Sequence, residues 1–299
     1  MMQIPIESMS FLMLNVGIAR LNGNWNWKNV SSPFTRIYYV TEGEATLYLP
    51  QRSVRLRPGY LYMVPAYTLH SYGCDGLFTH YYLHVYEGVK KEMDVMELYD
   101  FPSEVKAQEG DEQLFERMCR QYPETRLPSS DPTFYDNAVT FTDFVQRYSD
   151  MSLWEKMALR GAMLTLFSRF MREATPRFWL QDERLSRVMN YIHCHIDADV
   201  DVKSLADVAC LSSPYLIRLF KREVGLSPMQ YVNRKKAERA QLLLCTTDSP
   251  VKEIAFATGF SDQSYFIRFF RKICGVTPQE YRLRMRASRQ TAGPSSFIP

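Results

Sequence analysis

The hydrophobic and polar positions between Asp201 and Tyr281 follow one pattern twice. The second copy lies 49 residues after the first up to the pair Ser212 and Ser261, and 50 residues after it from there on. Each copy contains two apolar runs with helical spacing, separated by a few residues that favour a turn. The pattern predicts two similar modules, each with a helix, a turn of about three or four residues and a second helix, which is the helix-turn-helix layout.

The ends of these helices are predicted from capping residues. Serine and aspartate side chains accept hydrogen bonds from free N–H groups at a helix start, proline suits the first position, and glycine ends a helix in the left-handed conformation. In the first module, Asp201 and Ser212 are the predicted caps of the two helices, and Gly225 ends the second helix. In the second module, Ser249 is the predicted cap of a helix that starts at Pro250 and stops near Gly259. Ser261 is the predicted cap of the next helix, from Asp262 to about Ile273, before Gly275.

The second helix of each module has two faces. Its apolar face is predicted to pack on the preceding helix and consists of Leu216, Leu219 and Phe220, and of Phe266, Phe269 and Phe270. Its opposite face carries the candidate DNA contacts Ser213, Pro214, Ile217, Arg218, Lys221 and Arg222 in the first module, and Asp262, Gln263, Ser264, Ile267, Arg268, Arg271 and Lys272 in the second.

These residue types suit DNA, because arginine and glutamine pair bidentately with guanine and adenine, and lysine and arginine bind phosphates. Such cations are also common on the solvated face of an amphipathic helix. The recurrence of Arg218 and Arg268 at the same place in both copies favours DNA binding.

The duplicated stretch resembles the DNA-binding domain of the AraC family of transcription regulators, most clearly at 254–255, 259–266, 268–270, 275–278 and 281–282. The resemblance implies two helix-turn-helix units joined by a long helix and reading successive major grooves, with double-stranded DNA and RNA polymerase as partners. The joining helix would run from Pro228 to about Leu244. Its predicted solvent side carries Arg234, Lys235, Lys236 and Arg239.

Residues 4 to about 99 predict short antiparallel strands separated by glycine and proline turns, which is typical of a small barrel or jelly roll. The clearest hairpin has Gly43 in its turn, between strands at 36–40 and 45–49. This part resembles the cupin-type sensor domain of AraC regulators at 41–44, 56–59 and 64–72. The predicted fold class is therefore α+β, with residues 1–100 as a ligand-sensing barrel.

The resemblance also implies a small-molecule effector, such as a sugar, inside the barrel. Polar and aromatic residues near the turn at 70–72 and on the following strand would line the pocket, with the remaining wall from the first strands. The candidate ligand-binding residues are Trp25, Trp27, Arg36, Tyr38, His70, Tyr72, His80 and Tyr82. The alternative is that these aromatic residues form the core of the barrel.

A cupin enzyme is the rival class, because catalytic cupins hold a metal with a His-x-His pair. Here His70 is followed by Tyr72, and His80 and His84 are separated by about 13 Å of strand rise. In the predicted helix before the duplicated stretch, His193 and His195 point to different faces. We therefore expect no metal, no cofactor and no catalytic residue.

Residues 101–175 predict a helical segment, with amphipathic helices at 134–148 and 153–172. The second helix carries an apolar stripe of Leu153, Met157, Leu164, Phe167 and Met171, which could pack on the barrel or, as the resemblance implies, form a homodimer. Residues 175–182 are the predicted linker, 182–286 the DNA-binding domain and 287–299 a disordered tail.

Composition is consistent with this division. Residues 1–181 contain 18 Lys and Arg and 21 Asp and Glu, a net charge of −3. Residues 182–299 contain 18 Lys and Arg and 12 Asp and Glu, a net charge of +6, as expected if the C-terminal part alone binds DNA. A chain of 299 residues suits two domains. Six cysteines without paired spacing, no apolar run of about 20 residues and no signal peptide predict a reduced, cytoplasmic protein without a membrane partner. The predicted function is a ligand-responsive transcriptional regulator, an activator rather than a repressor. The second rival is a regulator whose barrel senses nothing.

Overall fold

A computed structural model describes residues 9, 11–87, 95–135, 138–177 and 182–287. These residues fall into two compact units. The N-terminal unit comprises 11–87 and 101–174, and the C-terminal unit comprises 95–100 and the residues from 175 to 282. The C-terminal unit thus includes a short segment that precedes residue 101 in the chain.

The N-terminal unit contains two antiparallel sheets. The five-stranded sheet has the order β1-β7-β2-β5-β9, and the three-stranded sheet has the order β4-β3-β6. The strands are β1 (Phe11–Asn22), β2 (Thr35–Gly43), β3 (Ala45–Leu49), β4 (Arg52–Leu56), β5 (Tyr60–Val64), β6 (Ser71–Gly73), β7 (Leu77–Glu87) and β9 (Glu104–Lys106), with β8 (Tyr99–Asp100) in the other unit. The predicted strands lie within one or a few residues of β2 to β7. The residue pattern predicted no bounds for β1, which pairs along its length with β7.

The turn between β2 and β3 requires glycine. Gly43 has φ 71°, and a Cβ atom there would lie 1.8 Å from the carbonyl oxygen of Leu77. No side chain fits that space without moving the backbone of β7. The strands on both sides of Gly43 are confirmed, but the predicted hairpin is wrong. β2 pairs with β5 and β7, whereas β3 pairs with β4 and β6, so the turn at Gly43 leads from one sheet to the other.

Aromatic side chains meet between the two sheets of the N-terminal unit. The ring of Trp25 stacks on Tyr72 of β6 with a centroid distance of 4.0 Å, and lies 5.0 Å from the ring of His80 on β7. The hydroxyl groups of Tyr38 and Tyr72, one from each sheet, are 2.6 Å apart. The α+β class with an N-terminal antiparallel sheet is confirmed. The described strands of the N-terminal unit form two separate sheets, and the closed barrel stays a prediction.

Helices cover the outer side of the five-stranded sheet. Phe115 stacks on Tyr81 of β7 and on Tyr39 of β2, with centroid distances of 5.6 and 6.1 Å. The buried Asp111 carboxylate binds the Arg169 guanidinium at 3.1 Å, which joins two of the helices. These helices are α2 (Asp111–Gln121), α3 (Pro132–Tyr135), α4 (Ala138–Asp150) and α5 (Leu153–Met171), with a 3-10 turn at Pro123–Thr125.

The predicted apolar stripe of α5 is divided between core and surface. Phe167 is buried against Phe11 of β1, whereas Leu153 is 75% exposed and Met157 is 67% exposed. A capping box between Ser152 and Glu155 starts the helix. The C-terminal half of α5 therefore packs on the sheet, and its first two turns present apolar side chains to solvent.

The C-terminal unit is helical apart from one short strand pair, β8 with β10 (Thr175–Pro176). Val95 and Leu98 of the short helix α1 are buried, and Leu98 joins the core formed by the first helices of this unit. Its remaining helices are α6 (Glu183–Cys194), α7 (Val202–Val208), α8 (Ser213–Val224), α9 (Pro228–Thr246), α10 (Val251–Ala257), α11 (Gln263–Cys274) and α12 (Pro278–Ala287).

The predicted tail (287–299) and the predicted linker (175–182) lie largely outside the described residues, which do not include 288–299 or 178–181. In the described part of the chain, no helix combines the length and apolar character needed to cross a membrane.

The buried histidines of the N-terminal unit predict a pH-dependent stability. Burial lowers the pKa of His80 from 6.5 to about 3 and, with the Arg36 charge, that of His70 to about 4. In the unfolded chain these histidines have a pKa of about 6.5 and bind protons below that pH, whereas in the folded chain they stay neutral. The free energy of unfolding should therefore fall as pH drops below 6.5. At pH 5 the loss should be about 2 kcal/mol for one such histidine.

His80→Gln should reduce that pH dependence by the share of one histidine, measured by urea unfolding with tryptophan fluorescence at pH 7.5 and pH 5. The control His195→Gln changes an exposed histidine of the C-terminal unit and should leave the pH dependence as in the wild type. Equal slopes for His80→Gln and the wild type would contradict the neutral, buried state of His80.

Candidate functional site

The first helix-turn-helix module consists of α7 and α8. Asp201 starts α7 with a capping box, in which its carboxylate accepts a hydrogen bond of 2.7 Å from the Ser204 amide. The turn passes through Cys210, which has φ 53°, and Ser212 is the N-cap of α8. Asp201 and Ser212 thus occupy the predicted N-cap positions, but the Ser212 side chain accepts no capping hydrogen bond. The predicted end of α8 at Gly225, with φ 78°, is confirmed.

The second module consists of α10 and α11, and both of its predicted N-caps are displaced by one residue. Pro250 rather than Ser249 is the N-cap of α10. Asp262 rather than Ser261 is the N-cap of α11, and its carboxylate accepts a hydrogen bond of 2.6 Å from the Tyr265 amide. Asp262 takes this role because its side chain, three residues before that amide, has the reach of an N-cap acceptor. The turn at Gly259 has φ 76°, as expected.

The apolar faces of α8 and α11 are buried as predicted. Phe220 stacks edge to face on Tyr231 of α9 at 5.8 Å, and Phe270 stacks in the same way on Tyr281 of α12 at 5.5 Å. In the second module the ring of Phe260 also lies 4.6 Å from Phe269. The buried set comprises Leu216, Leu219, Phe220, Phe266, Phe269 and Phe270.

The opposite faces of α8 and α11 carry the predicted DNA contacts at the solvent surface. Arg218 and Arg268 are exposed and occupy the same place on their helices. The exposed members of the set are Pro214, Arg218, Lys221, Arg222, Asp262, Ser264, Arg268, Arg271 and Lys272, and the half-buried ones are Ser213, Ile217, Gln263 and Ile267. Arg222 pairs with the neighbouring Glu223, which offsets part of its charge. The exposure that DNA contact requires is present at every position, while the contacts themselves stay a prediction.

Two exposed tyrosines belong to the same faces and were not among the predicted contacts. Tyr215 is 39% exposed and Tyr265 is 56% exposed, and each lies three residues before the module's outward arginine. The Arg218 guanidinium lies 5.9 Å from the centroid of the Tyr215 ring. Their repetition at matching positions of the two copies was the available signal in the sequence.

The connecting helix α9 corrects one prediction. Of the four basic residues placed on its solvent side, Arg234 is exposed and Arg239 is half-buried, but Lys236 is only 5% exposed and Lys235 is largely covered. The cause is tertiary, since other segments of the unit approach α9 on the side that its sequence marks as polar.

Lys235 lies in a buried group of charges. Its ammonium binds the Glu97 carboxylate of α1 and, at 2.9 Å, the Glu238 carboxylate. The other oxygen of Glu97 lies 3.0 Å from His193 Nε2, which in turn lies 3.0 Å from the Tyr231 hydroxyl. Burial alone would raise the pKa of Glu97, but Lys235 and His193 lower it to about 2. Burial alone would lower the pKa of Lys235, but Glu97 and Glu238 raise it well above 10.5.

The predicted ligand-binding residues lie between the sheets of the N-terminal unit, where all except the half-buried Trp27 are buried. His70 Nε2 contacts the Tyr72 hydroxyl at 2.7 Å, which contacts the Tyr38 hydroxyl at 2.6 Å. The Tyr82 hydroxyl accepts a hydrogen bond of 2.8 Å from the Leu127 amide. Arg36 donates to the Ser32 hydroxyl at 2.6 Å. The structure brings these residues together, and their role in binding a ligand stays a prediction.

The histidines considered as metal ligands contact other groups. His80 packs on Phe78 and Trp25, His84 packs on Phe34, and His195 Nδ1 lies 2.9 Å from the Tyr191 carbonyl oxygen. Across the described residues, no group of three or more His, Cys, Asp or Glu is arranged to hold a metal ion.

Two helix-turn-helix modules joined by one long helix define the class of the C-terminal unit, a double helix-turn-helix domain. A family model described as a helix-turn-helix domain matches residues 205–284. Together with the relatives described next, this match identifies residues 205–284 as a helix-turn-helix domain of the AraC type.

Among the similar proteins is the HTH-type transcriptional activator RhaS of Enterobacter sp. (strain 638), 37% identical over 83 residues, which are 28% of this chain and 30% of RhaS. The arabinose operon regulatory protein of Escherichia coli (strain K12) is 36% identical over 83 residues, 27% of this chain and 28% of that protein. The solved DNA-binding domain of AdpA, in complex with a target DNA, is 31% identical with a TM-score of 0.34, covering 36% of this chain and 96% of that one. The chain thus matches less than a third of the length of RhaS and of the arabinose regulator.

Glu97→Gln tests the buried charge group. Because it leaves Lys235 with one carboxylate fewer in a site removed from water, the free energy of unfolding of the C-terminal unit should fall by about 2–4 kcal/mol at pH 7. The pKa of Glu97 is lowered when folded, so its contribution is fully present above about pH 4.5 and is lost as pH falls towards 2.

Urea unfolding of the wild type and of Glu97→Gln at pH 7 and pH 4 would measure this difference. Glu253→Gln, at an exposed glutamate of α10, is the matched control and should unfold as the wild type does. A Glu97→Gln protein as stable as this control at pH 7 would show that the pair contributes nothing.

Proposed function

We propose that the chain is a DNA-binding transcriptional regulator whose helices α8 and α11 enter successive major grooves of double-stranded DNA. The observation that carries this proposal is the equivalent outward placement of Arg218 and Arg268 on two modules of the same construction. Each helix buries three apolar residues and leaves the opposite face to charged and polar side chains. Such a face meets the requirement of a recognition helix, with grooves about 34 Å apart for two modules on one side of the duplex.

The first experiment is selection of bound sequences from a pool of random DNA duplexes by the purified full chain. The selected duplex should bind at least about a thousandfold more tightly than unselected DNA at the same salt concentration. Equal binding of selected and unselected duplexes would contradict sequence-specific regulation.

Arg268→Ala should remove a base contact and Lys221→Ala a phosphate contact, so the two variants should change DNA binding in different ways. Loss of a bidentate base contact should cost roughly 1–3 kcal/mol on the selected duplex and relax the preference at one base pair. Loss of a phosphate contact should weaken all duplexes alike and flatten the salt dependence by about one unit of slope. Fluorescence anisotropy at several salt concentrations measures both effects. If both variants bind selected and unselected DNA as the wild type does, the assigned faces are wrong.

The N-terminal unit is proposed to bind a small-molecule effector between its two sheets. The supporting feature is a set of buried aromatic rings that also carries hydrogen-bonding groups, which is the composition of a small-molecule site. RhaS is named as a transcriptional activator, which favours an activator, and another relative is named as a regulator of an arabinose operon, which favours a sugar as effector. Their similarity is confined to the helical domain.

Segment 95–100 offers a route for coupling the effector to DNA binding. In sequence it lies between strands β7 and β9 of the N-terminal unit, yet Leu98 packs in the C-terminal core and Glu97 binds Lys235 on α9. An effector that changed the position of this segment would act on the helix between the two modules, and so would shift the populations of DNA-binding states.

A homodimer is proposed through the exposed start of α5. Leu153, Trp154 and Met157 present large apolar surfaces on adjacent turns, and such a patch on a helix marks an interaction site. RNA polymerase is the proposed partner for activation, and the cytoplasm is the proposed location. An enzymatic role is disfavoured, since the relatives are regulators.

Met157→Asp should convert the dimer to a monomer, because it places a charge in the apolar contact. Sedimentation velocity at micromolar concentration measures the change. Gln113→Asp, at an exposed position of α2, is the control and should remain dimeric. A wild-type protein that sediments only as a monomer would remove the proposed dimer.

A further inference from the structure

We propose that Lys236 is a positioning residue that fixes the orientation of one helix-turn-helix module relative to the other, and thereby the spacing between the two DNA sites that one chain accepts. The inference rests on the proposed function and adds a specific residue for the geometry of recognition. It concerns contacts within the C-terminal unit alone.

The Lys236 ammonium joins three separate segments of that unit. It extends from α9 and donates hydrogen bonds to the carbonyl oxygen of Ala198 at 2.8 Å and to that of Gly259 at 3.2 Å. Ala198 lies in the loop that leads into α7, and Gly259 lies in the turn of the second module. The nitrogen also lies 5.0 Å from the centroid of the Phe260 ring. One charged group therefore connects the entry to the first module, the connecting helix and the turn of the second module.

The duplication shows why glycine occupies position 259. The equivalent residue of the first module, Cys210, has φ 53° and carries a side chain, so the left-handed turn by itself does not demand glycine in this fold. At Gly259, however, a Cβ atom would lie 2.7 Å from Lys236 Nζ and 2.8 Å from the Ala198 oxygen. Glycine is needed there because the three segments meet at close range around the ammonium.

The contacts of the Lys236 ammonium with Ala198, Gly259 and Phe260 are called the joint below, and burial of the ammonium makes these contacts costly to break. Burial lowers the pKa of Lys236, against the effect of Asp199 and Asp197, so the environment disfavours its charge unless the carbonyl contacts are kept. Movement of either module relative to α9 would lengthen a hydrogen bond from the Lys236 ammonium to the carbonyl oxygen of Ala198 or Gly259. Loss of a hydrogen bond from a charged, buried donor costs more than the loss of one between neutral groups.

A fixed module orientation has a measurable consequence on DNA. Two recognition helices held rigidly fit half-sites at one separation and lose a contact when base pairs are inserted between them. If the joint is loosened, each module should still bind its own half-site, but the pair should tolerate altered spacing. Lys236 would thus determine spacing without contacting DNA.

The test compares Lys236→Met with the wild type on three duplexes derived from the selected sequence: the original, one with two base pairs inserted between the half-sites, and one with a single half-site. Insertion should weaken wild-type binding at least tenfold, and should weaken Lys236→Met less than threefold. Binding to the single half-site should be equal in both proteins. A Lys236→Met protein with the wild-type insertion penalty would overturn the proposal.

Lys252→Met is the matched control, because Lys252 is an exposed lysine of α10. It should keep the full insertion penalty. A second pair of variants applies the same assay at the turns: Gly259→Ala places a methyl group in the joint and should reduce the penalty, whereas Cys210→Ala at the equivalent turn should not. If Lys236→Met does not fold by circular dichroism, this pair decides the outcome, and equal penalties in the two variants would overturn the proposal.

A readout without DNA separates this inference from the proposed function. Amide hydrogen exchange at Gly259 and Phe260 should be at least tenfold faster in Lys236→Met than in Lys252→Met, because the turn loses its contact with α9. If the wild type selects no DNA sequence, the proposed function fails, and the amide exchange rates alone test whether Lys236 holds the modules together. Unchanged exchange would then show that Lys236 does not hold the modules together.

Discussion

The C-terminal unit depends on helix α9 holding two adjacent lysine ammonium groups away from bulk water. Lys235 is compensated by the carboxylates of Glu97 and Glu238, and Lys236 by backbone carbonyl groups. A buried charge is tolerated only when it is paired and hydrogen-bonded, so the segments that supply these partners must stay in contact with α9. The two lysines therefore join α1, the loop before α7 and the turn of the second module to one helix.

The recognition surfaces are a consequence of this frame together with the cores of the modules. Three apolar residues on each of α8 and α11 fix which face is buried, and the polar face must then point outwards. The two copies use different residues in the same structural roles. The N-cap is Ser212 for α8 and Asp262 for α11, and the residue in the left-handed turn is Cys210 in the first module and Gly259 in the second. Similar architecture is thus compatible with different polar residues, as expected if each module reads its own DNA sequence.

The N-terminal unit illustrates how far residue patterns extend. Glycine and proline turns predicted β2 to β7 closely, because a turn is a local feature of the chain. The long strand β1 had no such signal, since its pairing with β7 joins residues 55 to 76 positions apart, from Asn22 with Leu77 to Phe11 with Glu87. The aromatic candidates Trp25, Tyr38 and Tyr72 meet as predicted, and their mutual stacking accounts for their burial whether or not an effector binds among them.

The sequence by itself determined the duplicated modules, the faces of the recognition helices, the position of Arg218 and Arg268 and the presence of antiparallel strands, because these follow from local periodicity and turn chemistry. Only the tertiary structure decided that Lys236 is buried, that Leu98 and Glu97 belong to the C-terminal unit, and that two of the five residues in the α5 stripe are exposed. Helical periodicity identifies the faces of an element, but it does not specify which distant segment covers them. That choice depends on contacts between residues that are far apart in the chain.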